Sequence, residues 1–374
     1  MLIRFRRAPD LVSYWKGGAF VLHNYATGGA VAVSPRTTEL LDYFSDWKSA
    51  DEFCIQSGVP IAKVRRLLAT LVKVSLLQSS NQLPSPKESA LTRWAAWNPA
   101  AGFFHQATRD VRFLDPIDVN RRLRQKARSN PPPAPVKLYP KAKTRALPRV
   151  HATGDFPRVL LSRRTWRQFA RRPLALDSLA ALLGLTGGVQ QWARLPRQGD
   201  FVMKTSPSGG GRHPIELYVW ARHVDGVAKG LYHYACDRHR LELVKAQRGR
   251  VSVRRYLPQQ FWYEGAAAMV FFSAVYERYL WKYTYPRAYR ATLVEAGHQC
   301  QTFCLVATWL GLAPFCSMAL ADSRIEGDLG LDGVSESVIY AAGVGVRPAG
   351  ETVRSKPAGF PPLRVRPNQY VIAP

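Results

Sequence analysis

The sequence predicts an α+β fold, and three observations carry that prediction. Ile215 to Ala221 alternates as a strand, Gly230 to Tyr234 and Leu241 to Val244 follow as a hairpin, and Thr292 to Leu310 is a long, almost wholly apolar helix suited to a central position. Val338 to Val346 closes the series as a strand, with Gly343 and Gly345 near its end. No strand opens into Gly-x-Gly-x-x-Gly, so a Rossmann domain is not indicated. With 374 residues, 47% hydrophobic and 11% aromatic, the chain has ample core for one large domain or two moderate ones.

The elements run as follows. Ala19 to Asn24 and Ala30 to Val33 flank Ala26-Thr-Gly-Gly29 and predict a hairpin. Ser34-Pro35 then opens a helix through Leu40, Leu41, Phe44 and Trp47, with serine as cap. Ser49-Ala-Asp-Glu52 reads as a capping box for a second helix ending near Gly58. Pro60 starts a third, with Val64, Leu67, Leu68, Leu71 and Val72 spaced for one buried face, and Val74 to Leu77 reads as a returning strand. Hairpin, three helices and wing resemble a winged helix, assigned to residues 1–95. Lys63, Arg65, Arg66 and Lys73 on the third helix suit a nucleic acid or a peptide equally, because a fold does not choose its ligand.

Residues 96–156 read as a basic, Pro-rich connecting segment containing Ser129-Asn-Pro-Pro-Pro-Ala-Pro135. Between Arg121 and Arg172 sixteen lysines and arginines face one acid, Asp155, which concentrates much of the net charge of +27. Nucleic acid, an acidic peptide, an anionic cofactor and plain solubility each account for such a stretch. Beyond it, residues 157–374 form the main domain. There Pro157 to Phe169 predicts a helix, Ser178 to Leu185 another, and Ala266 to Val275 a buried strand or helix that periodicity does not separate. Five cysteines, none in a Cys-x-x-Cys pair, indicate neither a disulfide framework nor a zinc site. Cys300 and Cys304 read as buried thiols on one helical face. No export signal or spanning segment is visible, so a cytoplasmic location without membrane contact is expected.

Two stretches carry chemistry. Arg163, Arg164 and Arg167 surround Thr165 near the start of the predicted helix, where guanidinium forks and free backbone N–H groups favour a phosphate. Some forty residues on, Lys204-Thr-Ser-Pro-Ser-Gly-Gly-Gly-Arg-His-Pro214 runs into a strand. Three glycines strip the side chains from a turn bounded by two prolines, so a flat ligand can approach its backbone.

This pairing resembles the flavin site of the nitroreductase superfamily. Gly210-Gly-Arg-His-Pro-Ile-Glu-Leu-Tyr218, Gly230-Leu-Tyr-His-Tyr234 and Glu295-Ala-Gly-His-Gln-Cys-Gln301 narrow it to a likeness with the SagB-type, McbC-like azoline dehydrogenases, over about residues 95–347. The resemblance implies a nitroreductase-like FMN-binding fold, a central mixed sheet with surrounding helices. It implies an FMN-dependent enzyme that oxidises thiazoline or oxazoline rings in a ribosomally made precursor peptide to the aromatic azoles. It further implies that Arg163, Arg164, Thr165 and Arg167 hold the phosphate and that Pro207, Ser208, Gly209 and Gly210 lie along the flavin ring. Gln301, Gly311, Leu312, Met318, Ala319, Gly343, Gly345 and Arg347 fall at other cofactor positions, and Thr302 stands where the family commonly has asparagine.

Lys282 and Tyr283 match the Lys-Tyr pair that the family is thought to use as base. A lysine base requires burial or positive neighbours, and Arg278 and Arg287 lie close in sequence. Tyr289 is a candidate to stack on flavin or substrate, whereas His298, mid-helix, reads as a core histidine. The resemblance implies a homodimer, a precursor peptide as partner and cyclodehydratase components beside it. No metal is expected. Two other functions stay open: an NAD(P)H-dependent reductase of nitro or quinone compounds, and a nucleic-acid-binding protein with a flavin sensor domain, although nucleic acid is not favoured.

Overall fold

The computed structural model describes residues 2–137, 139–143, 145–148, 150–151, 153–196, 199–349 and 371–372. Contacts divide the chain into two compact units, Met1–Arg109 with Ala274–Val294 and Gly330–Ser337, and Asp110–Ser273 with Glu295–Leu329 and Val338–Pro374.

The first unit begins with strands. Leu11–Lys16, Ala19–Asn24 and Gly29–Val33 form an antiparallel three-stranded sheet whose second half is the predicted hairpin. A second sheet orders Lys48–Ser49, Arg4–Arg7 and Leu77–Ser79. Three helices, Thr37–Tyr43, Ala50–Ser57 and Ile61–Lys73, complete this β-rich region. Ser49 caps the second as its spacing predicts: its Oγ accepts from the Glu52 N–H at 3.1 Å, and Glu52 Oε2 accepts from the Ser49 N–H. Gly58, at φ 67°, ends that helix in the left-handed region. The third helix buries Val64, Leu68 and Leu71 against Leu22, Leu41, Phe44 and Leu76, each such side chain contributing about 1.5–3 kcal/mol. Ser34 does not cap the first helix. That helix starts after Arg36, whose own N–H reaches the Ser34 hydroxyl at 3.4 Å.

Among the described residues the segment 96–156 holds the helices Ala100–Ala107 and Pro116–Ser129 and, at its end, the start of Asp155–Ser162. The second is capped by Asp115, whose carboxylate accepts from the Ile117 N–H at 2.8 Å, and it buries no residue. Part of the basic excess is therefore a solvated helix.

The second unit is built on a six-stranded sheet in the order Arg240–Ala246, Gly230–Ala235, Ile215–Ala221, Ala268–Val275, Glu336–Val346 and Leu312–Ser317. The ambiguous apolar run is thus a strand. Residues 268–274 are all buried at its interior position, which explains why no alternation shows. Leu312–Ser317 escaped sequence reading because Pro314 interrupts it, yet an edge strand tolerates proline. Its partner strand needs Gly343 and Gly345. A Cβ on Gly343 would collide with the edge of the Phe315 ring, and one on Gly345 would lie 2.5 Å from Phe169 Cδ1. The apolar helix runs from Arg287 to Trp309, five residues longer at its start than predicted. Among the described residues no helix is long and apolar enough to cross a membrane.

Candidate active site

The glycine-rich loop is fixed by its own hydroxyls. Gly209–Gly211 forms a short 3-10 turn in which Gly210 (φ 60°) and Gly211 (φ 68°) adopt the left-handed conformation that glycine supplies at little cost. Ser208 Oγ accepts from the His213 N–H at 2.8 Å and closes the turn. Ser206, 3% exposed, shares a 2.8 Å hydroxyl–hydroxyl bond with Thr302 on the long helix, and Thr302 also donates to the His298 carbonyl. His213 Nδ1 lies 3.7 Å from Glu295 Oε1, and both side chains are buried. Two motifs about eighty to a hundred residues apart therefore meet through Ser206–Thr302 and His213–Glu295. Beside this junction lies a cleft of about 440 Å³, lined by Phe156, Val159, Thr205, Thr302, Leu305 and Trp309 among others.

The nitroreductase family model matches residues 160–346, half of the chain. The chain belongs to the nitroreductase family. Among its relatives is MJ1384 of Methanocaldococcus jannaschii, a nitroreductase by name, 32% identical over 169 residues that cover 45% of this chain and 80% of that protein. The trifolitoxin-processing protein TfxB of Rhizobium leguminosarum bv. trifolii is 30% identical over 173 residues, 45% of this chain and 46% of that protein. The match thus spans about half the length of that relative. A chain of the E. coli microcin synthetase McbBCD complex with truncated pro-MccB17 bound is 19% identical over 72% of this chain and 100% of that one, with a TM-score of 0.46. The predicted α+β nitroreductase fold is the observed one.

The arginine cluster of this nitroreductase does not open a helix. The helix is Asp155–Ser162, and Arg163 is its C-cap. The chain then runs extended because its backbone is tied elsewhere: the Trp166 N–H donates to the Pro314 carbonyl and the Ala170 N–H to the Val346 carbonyl, both at 2.9 Å. A helix C-terminus presents carbonyls, so an anion here gains nothing from the helix end and relies on other donors, the guanidinium groups and the Thr165 hydroxyl. Arg164 spends Nη1 on the Leu161 and Arg163 carbonyls, at 2.7 and 2.8 Å. Arg167 Nε is buried and meets no hydrogen-bond partner among the described residues, a deficit of about 1–3 kcal/mol that an anion would relieve. Thr165 is half-buried between them.

The remaining predicted positions divide. Arg347 donates Nε to the Leu312 carbonyl at 2.7 Å and Nη2 to the Thr308 carbonyl at 3.3 Å, over the Trp166 ring, so one donor serves the last turn of the long helix and the other the start of the strand that follows. Gly311 is at φ 70° in the turn before Leu312, which is buried. Ala319 accepts from Gln260 Nε2 at 2.8 Å, while Met318 and Gln301 are exposed. His298 is exposed as well, correcting the core assignment. The buried stripe of this helix passes through Gln299, Cys300, Phe303, Cys304 and Ala307 and leaves 298 and 301 outside it.

Lys282 and Tyr283 belong to the first unit, in the turn between Glu277–Leu280 and the long helix. The Tyr283 carbonyl accepts from Trp97 Nε1 at 2.8 Å, its N–H donates to Tyr279, and Lys282 Nζ lies 5.6 Å from the Tyr283 ring centroid. Lys282 is exposed, so the burial expected of a lysine base is not supplied within the chain. The Tyr289 ring stacks on Tyr276, with centroids 5.7 Å apart. It is buried, with its hydroxyl 2.9 Å from His105 Nδ1.

Sequence reading missed His105. Its Nε2 lies 2.9 Å from the Gly333 carbonyl, so Nε2 carries the proton and Nδ1 accepts from Tyr289. Burial, reinforced by the Arg109 charge, pushes its pKa down to about 3 and keeps the ring neutral. Trp94, Tyr276 and Tyr289 meet it in edge and tilted ring contacts, and Trp97 packs edge-on against those three rings. Its signal lay in Trp97-Asn-Pro-Ala-Ala-Gly-Phe-Phe-His105, an aromatic run too rich for a solvated linker.

Proposed function

We propose that this nitroreductase is an FMN-dependent dehydrogenase that oxidises thiazoline or oxazoline rings in a ribosomally made precursor peptide. The observation that carries the reading is the 30% identity over 173 residues with a protein named for processing trifolitoxin. The residues fit an FMN: the orphaned Arg167 Nε suits a phosphate oxygen, and the apolar cleft by Thr205 and Thr302 suits a flat ring. Arg163, Thr165 and Arg167 would hold the phosphate, and Pro207 to Gly210 the ring. When bound, FMN supplies a two-electron acceptor. Lys282, with Tyr283, takes the proton that leaves the azoline carbon, and product aromaticity drives the step.

The test is anaerobic incubation of flavin-loaded protein with a thiazoline peptide. Loss of two hydrogens by mass spectrometry with matching flavin bleaching supports the reading, and an unchanged peptide mass overturns it. The similarity to MJ1384 favours a second reading, an NAD(P)H-dependent reductase, for which NADPH would bleach the flavin rapidly without any peptide.

The N-terminal region of residues 1–95 is proposed to bind the precursor's leader or a cyclodehydratase component, its basic third helix suiting an acidic peptide. Its removal should slow oxidation of full precursor far more than of a leaderless peptide. Equal losses would leave it a structural part. A homodimer is proposed too, with the exposed Trp281, Lys282 and Tyr285 gaining their burial from a second copy or from substrate.

A further inference from the structure

The long helix carries Cys300 and Cys304 one turn apart, both buried, and the strand Leu312–Ser317 that follows it brings in Cys316. Four-residue spacing puts the first two on one face. The three Sγ atoms all lie within 4.8 Å of one another, and the Tyr340 hydroxyl donates to Cys316 Sγ at 3.4 Å. The proposed dehydrogenation makes no use of these sulfurs. Spacing alone showed only a pair; the chain reversal after the helix makes it a triad.

We propose that Cys300, Cys304 and Cys316 form a trigonal thiolate site for Cu(I). The ligand set decides the ion. Thiolates select soft cations, and among the described residues no histidine or carboxylate joins the three sulfurs, so the tetrahedral site that zinc prefers lacks its fourth donor. Three sulfurs about 2.3 Å from a central ion stand about 4.0 Å apart, so the longest edge here would contract by about 0.8 Å or less. Side-chain rotation on the helix and strand covers that change. Binding displaces one proton from each thiol and leaves a complex of net charge −2, which the Arg163 guanidinium, acting on Cys304 and Cys316, offsets in part. A disulfide would use two of these sulfurs and strand the third. Half-buried Cys316 gives the ion a route inward.

The full chain, reduced and kept anaerobic, is titrated with Cu(I) against a competing Cu(I) chelator, and the sulfur neighbours are counted by X-ray absorption. One Cu(I) per chain with three sulfurs is expected. Affinity should fall at least tenfold in Cys316→Ser and Cys304→Ser and stay unchanged in Cys54→Ser and Cys236→Ser, with circular dichroism reporting the fold. Loss of the ion to the chelator, retention unchanged in Cys316→Ser, or Zn(II) held in preference to Cu(I) would each overturn the site. The sulfur count uses the wild-type chain and stands even where a variant fails to fold.

Discussion

The loop at Pro207–Gly211 and the turn at Lys282–Tyr283 are both ordered, by opposite means. In the loop, side chains hold the backbone: Ser208 closes on the His213 N–H and Ser206 ties to Thr302. In the turn, a buried indole grips the backbone carbonyl of Tyr283 and leaves the Lys282 side chain outward. The difference follows the task each is proposed to perform. A surface for a flat ring needs a fixed backbone, whereas a proton acceptor needs a fixed point of attachment and an environment completed when its substrate arrives.

The strongest way to break this comparison is Lys282→Ala. If the turn serves chemistry alone, azoline oxidation falls about 10²–10⁴-fold while flavin content and the melting curve stay as in wild type. Full turnover would remove Lys282 from the mechanism. Next is acid. His105 is held neutral in the folded chain with its pKa near 3 against 6.5 for the free side chain. Its contribution is therefore complete above pH 6.5 and is lost as pH falls from 6.5 toward 3, at about 1.4 kcal/mol for each unit of difference. Urea unfolding of wild type and His105→Gln across that window measures it, and parallel pH curves would remove His105 from the account.

A smaller effect is expected on the arginine side. Gly345→Ala forces a Cβ onto Phe169, two residues from Arg167, and should cost about 1–3 kcal/mol and loosen flavin. An unchanged midpoint would show that the ring can yield. The smallest is Thr302→Val, which cuts the tie to Ser206 and should cost about 1 kcal/mol, read as faster flavin loss with Lys282 chemistry intact.

Much of the fold was legible, and the failures share a cause. Ile215–Ala221, the 230–246 hairpin, the Ser49 capping box and the long helix follow from local periodicity and capping, and all appear. The helix predicted through Phe169 failed because Trp166 and Ala170 give their N–H groups to distant strands, a tie local preference does not register. Pro314 concealed an edge strand, and His298 was read from its apolar neighbours rather than its angular position.

The candidate site divides along the same line. The glycine loop and the arginines were visible from their residue types, and the Lys-Tyr pair from its match to the family's motif. Their partners were not, because a hydrogen bond such as Ser206–Thr302 or a contact such as His213–Glu295 joins residues separated by dozens of positions.

The sequence by itself determined the α+β class and the glycine loop, set by local spacing, and through its motifs the resemblance to the nitroreductase family that names the residues proposed for chemistry. Only the tertiary structure decided that the arginines follow a helix, that Lys282 stands exposed, that His105 is buried neutral and that three cysteines meet. Burial and long-range hydrogen bonds belong to the folded chain as a whole, and no local pattern encodes them.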